Sequence, residues 1–179
     1  MHAAWQIRPE RPDDADSVAS LNDDGFGPGR FAKSAYRLRE GVAPERALGF
    51  VATGDGGALL GSVRFWPIRV GAEISLLLGP LAVKSELRGQ GIGLALMKTG
   101  IDAARAAGFK TILLVGDEAY YARAGFARLP LGRVRFPGPV DKTRILGVTL
   151  RPGALDILSG DIVRARIDDP VCGCGAPLG

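Results

Sequence analysis

The chain has 179 residues, 46% of them hydrophobic, enough to bury the core of one domain. Its net charge of +4 comes from 23 Lys and Arg against 19 Asp and Glu, scattered without a basic run, which argues against a nucleic-acid-binding surface. No apolar run approaches the roughly 18 residues of a membrane span and the first residues lack a signal-peptide core, so a cytoplasmic protein with no membrane partner is expected.

The only histidine, His2, lies at the very start, which makes a serine or cysteine triad improbable. Trp5 to Arg8 reads as a first strand. Pro12, Asp13 and Asp14 then open a helix reaching about Leu21, with proline and acidic residues where helix starts favour them. From Asn22 to Gly41 the chain is broken by Gly25, Gly27, Pro28 and Gly29, and Phe31 to Arg39 is expected to form a second helix. Its charged residues, among them Arg30, Lys33, Arg37 and Arg39, fit either a solvated face or a substrate contact.

Leu48 to Thr53 and Ala58 to Val70 are predicted strands joined by a turn at Gly54, Asp55, Gly56 and Gly57, the second weakened towards its end by Pro67. Ala72 to Val83 is too apolar for a half-exposed strand and is therefore placed centrally, with Gly79 and Pro80 predicting a bulge. There follows the turn Arg88, Gly89, Gln90, Gly91, Ile92, Gly93, whose glycines let backbone N–H groups approach a ligand closely. Helical spacing of Leu94, Met97, Ile101 and Ala104, opposite Lys98, Asp102 and Arg105, makes the next element an amphipathic helix stopped by Gly108. The unpaired N–H groups and positive dipole end of such a helix suit a pyrophosphate.

Thr111 to Val115 is a short apolar strand, so strand, helix and strand form a parallel crossover unit. Asp117 to Ala124 reads as a short helix, and Phe126 to Leu129 and Arg144 to Leu150 are expected to complete the sheet. Pro152 and Gly160 bracket a short helix, ALDILS. From about residue 165 the chain is expected to be a mobile tail. Its thiols, Cys172 and Cys174, are too close for an unstrained disulfide and lack the paired clusters of a zinc site, so no metal is expected. Residues 1–179 are read as one domain.

Two motifs point further. The pattern Arg88-x-x-Gly91-x-Gly93, after LGPLAV and before a long helix, together with Tyr121-x-x-x-Gly125-Phe126 after the following strand, resembles the GCN5-related N-acetyltransferase (GNAT) superfamily. The resemblance implies an α/β fold with a central mixed, splayed β-sheet flanked by helices, and acetyl-CoA as cosubstrate. It implies that Leu81, Ala82 and Val83 offer main-chain groups to the pantetheine arm and the oxyanion, and that Arg88, Gly89, Gln90, Gly91, Ile92 and Gly93 cradle the pyrophosphate. It assigns Tyr121 as proton donor to the leaving thiolate, a phenol being protonated at neutral pH, with Tyr120 beside it as a packing residue.

The chain departs from the family pattern in two places. The glutamate that many members carry on the central strand corresponds to a position near Ser75, with Glu73 two residues earlier on the same face. Glu73 is therefore the candidate base, acting through water, or the amine deprotonates to solvent. An asparagine often found seven residues before the tyrosine is here Leu114. The function expected is transfer of an acetyl group to a primary amine by direct attack in a ternary complex; a non-catalytic acyl-CoA sensor is the alternative. The loops from Gly25 to Arg39 and from Leu131 to Lys142 are the candidates for acceptor recognition, with small molecules, antibiotics, peptides and protein N-termini all open. Dimerisation is common in the family, so a homodimer is a further expectation.

Overall fold

The computed structural model describes residues 4–27 and 34–165; His2, Cys172, Cys174 and the stretch holding Arg30 and Lys33 lie outside these. Among the described residues nine strands form a mixed sheet. They are β1 (Gln6–Pro9), β2 (Phe50–Thr53), β3 (Leu59–Val70), β4 (Glu73–Val83), β5 (Thr111–Val115), β6 (Ala127–Arg128), β7 (Val134–Arg135), β8 (Ile145–Thr149) and β9 (Gly160–Arg164). The main order is β1-β2-β3-β4-β5-β8-β6, with β9 on β3 and β7 on β9. The pairs β4–β5 and β7–β9 are parallel.

Helices cover the sheet as the apolar spacing dictates. In α3 (Ile92–Ala106), Ile92, Leu96, Met97, Ile101 and Ala104 are buried and Lys98, Asp102 and Arg105 face water. Each fully buried Leu, Ile or Met contributes roughly 1.5–3 kcal/mol, so this face holds the helix on the sheet. The same core takes in Phe65, Leu76, Leu78, Ile112, Leu114 and Phe126. A second core, with Leu38, Ile68, Leu77, Leu113, Leu129 and Ile162, is filled by the alternate residues of the central strands. Leu76 and Leu77 thus point into different cores, which is why the central strands read as unbroken apolar runs.

The helix predicted to end near Leu21 runs further. After a turn at Pro12–Asp14, α1 spans Ala15–Phe26 and stops at Gly27, whose φ is 64°. Gly25 is accommodated inside it, and a Cβ there would stand 3.9 Å from that of Ala82 on β4. Asp14 ties the start of α1 to β1 by accepting two hydrogen bonds from the Arg8 guanidinium, 2.7 and 2.8 Å. Among the described residues the next helix, α2, covers Ser34–Arg37.

The strand expected to reach Val70 does so, while the weakening expected at Pro67 and the helix expected after Pro152 are corrected. Strand β3 continues through Pro67 to Val70, because on that edge β2 pairs only as far as Val63 and β9 begins at Ile68. Pro67 falls in the gap, where its missing N–H is not required, and its carbonyl accepts the Ala165 N–H at 3.4 Å. ALDILS is not a helix but a run of turns leading into β9, which the sequence reading missed altogether. Its alternation is short, with only Ile162 buried from Asp161 to Arg164, so β9 carries little hydrophobic signal of its own.

The central strands place the site. The β3–β4 register shifts so that Val63 faces Leu81 and Phe65 faces Leu78, leaving Arg64 opposite both Gly79 and Pro80. This is the bulge predicted from those two residues. Meanwhile β4 and β5 pair only at Leu76–Ile112 and Leu77–Leu113. Beyond Leu77 the two strands part, and the β5-facing edge of β4 is left open as far as Val83.

Candidate active site

The splay opens onto the turn before α3. Gly89 and Gly91 have φ of 83° and 86°, the left-handed region that suits glycine, and nothing lies within 4 Å of where a Cβ would stand at either. Gly91 caps α3, and the first helical N–H with an acceptor inside the helix is that of Ala95, bonded to the Gly91 carbonyl at 3.0 Å. The N–H groups of Ile92, Gly93 and Leu94 before it lack an acceptor within the helix, while that of Gln90 is bonded to the Leu87 carbonyl at 3.4 Å. Arg88 is exposed beside them.

Across the gap stands the tyrosine-bearing segment. Helix α4 (Glu118–Tyr121) is capped by Asp117, whose carboxylate accepts the Ala119 N–H at 3.2 Å. After one further turn Gly125, at φ 91°, sends the chain into Phe126 of the core. Tyr121 packs edge-on against both Phe126 and Tyr120, with ring centroids 6.0 and 5.1 Å apart. The bare Cα of Gly116 makes room for its ring: a Cβ there would lie 2.2 Å from it.

Burial pushes the Tyr121 phenol up to about 12, helped by Tyr120 and opposed by the positive charges of Arg144 and Arg39. The group is therefore a fully protonated donor throughout the physiological range. Burial also raises Tyr120.

These parts meet in one cavity of about 290 Å³, lined on one side by Leu81, Ala82 and Val83 and on the other by Tyr120 and Tyr121, with the glycine turn at its mouth. A wider opening of about 540 Å³ adjoins it at Gly25, Val83 and Arg88 and runs along Ser17, Ser20 and Lys84. The arrangement provides an open strand edge, a helix start whose first N–H groups lack acceptors within the helix and a protonated phenol in one cleft. That combination suits a long, phosphate-bearing thioester.

Comparison with known proteins agrees with this geometry. Residues 15–127 match the model of the Acetyltransferase (GNAT) family. The chain belongs to the GNAT family. Within this family it is 38% identical to the uncharacterized N-acetyltransferase YhbS of Escherichia coli K12 over 137 residues, 74% of this chain and 80% of that one. The crystal structure of E. coli YhbS in complex with CoA superposes with a TM-score of 0.77 at 31% identity, covering 92% of each chain. A GNAT acetyltransferase from Brucella melitensis in complex with acetyl-CoA superposes with a TM-score of 0.67 at 26% identity, covering 92% of this chain and 97% of that one.

Not every residue singled out from the GNAT pattern reaches the cleft. Glu73 lies at the start of β4, where it accepts a hydrogen bond from Lys110 Nζ at 3.3 Å. Six residues separate it from the bulge at Gly79, about 20 Å along an extended strand. Ser75 is wholly buried and bonds to the Thr111 carbonyl at 3.0 Å, while the Thr111 hydroxyl donates to Ser75 Oγ at 2.8 Å. That pair fastens β4 to β5 below the splay. Leu114 is a core residue. Conversely, Tyr120, read as packing, lines the cavity together with Arg123. Adjacent tyrosines on a single helical turn were the available signal, since successive residues of a helix point about 100° apart and both can flank one groove. Among the described residues no helix is long and apolar enough to cross a membrane, and no group of three His, Cys, Asp or Glu could hold a metal ion.

Proposed function

We propose that this protein is an acetyl-CoA-dependent N-acetyltransferase that acts on a primary amine. The observation that carries the reading is the convergence of the glycine turn, the open edge of β4 and the Tyr121 hydroxyl group on one cavity. The CoA-bound and acetyl-CoA-bound relatives support the same cosubstrate here.

In this mechanism the pyrophosphate sits on the N–H groups from Gly89 to Gly93, with Arg88 beside it and Gln90 and Ile92 contributing main chain. The pantetheine arm lies along Leu81 to Val83 as a partial replacement for the missing strand. The free amine attacks the thioester carbonyl, and a main-chain N–H of β4 stabilises the resulting oxyanion. The nitrogen, positively charged after the attack, gives its proton to water as the C–S bond breaks, the thiolate takes the Tyr121 proton, and the tyrosinate is reprotonated from solvent. Glu73, occupied by Lys110 at the far end of the strand, is given no part; the ammonium acceptor loses its proton to water.

Titration calorimetry with acetyl-CoA on wild type and Gly91→Glu, followed by a thiol-release assay over an amine panel, tests the reading. Micromolar binding that Gly91→Glu abolishes, with CoA released in the presence of some amines, is the expected result. Tight binding with no turnover on any amine would instead establish an acyl-CoA sensor.

A further inference from the structure

Among the described residues, the half-buried Arg39 guanidinium beside the bulge has no acidic partner. Arg39 follows α2, on the side of the sheet away from α3, and its Nη2 would lie 2.7 Å from a Cβ at Gly79. Its Cζ stands 5.9 Å over the Trp66 ring, and Trp66 donates its Nε1–H to the Gly79 carbonyl at 2.6 Å. Gly79, at a φ of 129° that favours glycine, and Trp66 thus border the niche. Arg39 Nε is buried with no hydrogen-bond partner. The neighbouring carboxylate, Glu40, is engaged by Arg164 at 3.4 Å.

Burial lowers the Arg39 pKa to about 10, with Tyr36 and Tyr121 acting in the other direction, so the guanidinium is still charged at neutral pH. Its field and that of exposed Arg144 both reach the Tyr121 phenol. Arg39 does not line the cofactor cavity, yet it is near the proton donor: this is where the second substrate must approach. An uncompensated buried charge is costly to retain, whereas a carboxylate can meet a guanidinium in a planar, two-bond match.

We propose that the acceptor is an amine bearing a carboxylate, and that Arg39 binds this carboxylate while the amine is presented to the thioester beside Tyr121. The proposal rests on the acetyl-transfer reading above and narrows it. A single cation set among aromatic rings matches a planar monoanion, and it disfavours polycationic acceptors such as polyamines and aminoglycosides.

The test compares amino acids with their carboxamides, with phosphoethanolamine and with diamines, on wild type, Arg39→Gln and Arg39→Lys. Wild type is expected to prefer an acid over its amide by about 10- to 100-fold in kcat/KM. Arg39→Gln should erase that preference, Arg39→Lys should recover part of it, and acetyl-CoA affinity should not change. A preference for diamines, for phosphoethanolamine or for the amide overturns the proposal, as does an equal loss on acid and amide in Arg39→Gln. Thermal shift with N-acetylamino acids and their amides checks the anion site without turnover. Stabilisation by the acid alone, absent in Arg39→Gln, supports the proposal, and equal stabilisation by both overturns it. Acid-selective stabilisation without any turnover would overturn the acetyl-transfer reading while leaving the carboxylate site standing.

Discussion

The hydroxyl of Tyr120 rests over the bare Cα of Gly93, so closely that a Cβ at residue 93 would lie 2.2 Å from it. The first turn of α3 and the tyrosine segment thus touch directly, and the third glycine of the turn is explained by the neighbour it admits as well as by the ligand it exposes. Gly93→Ala should push Tyr120 into the cavity and weaken acetyl-CoA binding about tenfold, a loss that Tyr120→Phe in the same chain should largely restore. Calorimetry on the single and double variants measures it.

Tyr121 offers a cleaner separation of binding from chemistry. With its proton held up to about 12, the phenol is a donor at every working pH. Tyr121→Phe keeps the edge-on packing against Phe126 and removes only the proton. A fall in kcat of about 10²-fold or more is expected, with acetyl-CoA affinity within twofold of wild type. Steady-state kinetics beside calorimetry distinguishes this from a packing role, in which both would change.

Asp14 makes acid stability a local matter. Its carboxyl is held at about 2, chiefly by the Arg8 hydrogen bonds and also by the Arg11 N–H. Because the folded value lies below the unfolded one, the contribution is present above about pH 4 and is lost as pH falls through 2. Its size is on the order of 2 kcal/mol at neutral pH. Urea unfolding should show Asp14→Asn less stable than wild type by about that amount at pH 7, with the gap closing as pH approaches 2.

Packing of α3 on the sheet turns on another glycine. A Cβ at Gly100 would stand 2.3 Å from the ring of fully buried Phe65. Gly100→Ala should therefore lose about 1–2 kcal/mol, overpacking outweighing the gain in helix propensity. Phe65→Leu in the same chain should relieve part of the clash, giving a favourable coupling of about 1 kcal/mol in a double-mutant cycle of denaturant unfolding.

What could be read from the chain was what repeats or what needs glycine. The apolar spacing of α3 placed its buried face, the run from Ala72 to Val83 placed the central strand, and Gly79-Pro80 placed the bulge. Strand β9 escaped because a strand with one buried residue is recognised by its partners rather than its composition. The weakening expected at Pro67 is absent for a related reason: whether a proline costs a strand a hydrogen bond depends on which edge is paired there, a fact of topology. In the site, the cradle and Tyr121 were legible because short motifs carry them. Arg39 was visible only as one more charge in a broken segment, since its lack of a partner is a property of the folded neighbourhood. Glu73 illustrates the converse, a plausible base whose distance from the bulge emerges once the strand is laid out.

A sheet edge without a neighbouring strand ordinarily invites another polypeptide to add itself. Along the open length of β4, Tyr120, Tyr121 and the start of α3 instead line the same cleft. Peptide groups are alike whatever residue bears them, so the hydrogen-bonding edge belongs to the backbone, while the side chains of Leu81 to Val83 answer to the core they pack on. Two residues upstream, Gly79 holds a φ of 129° that L side chains rarely adopt. One strand thus serves the ligand through its backbone and the fold through its side chains.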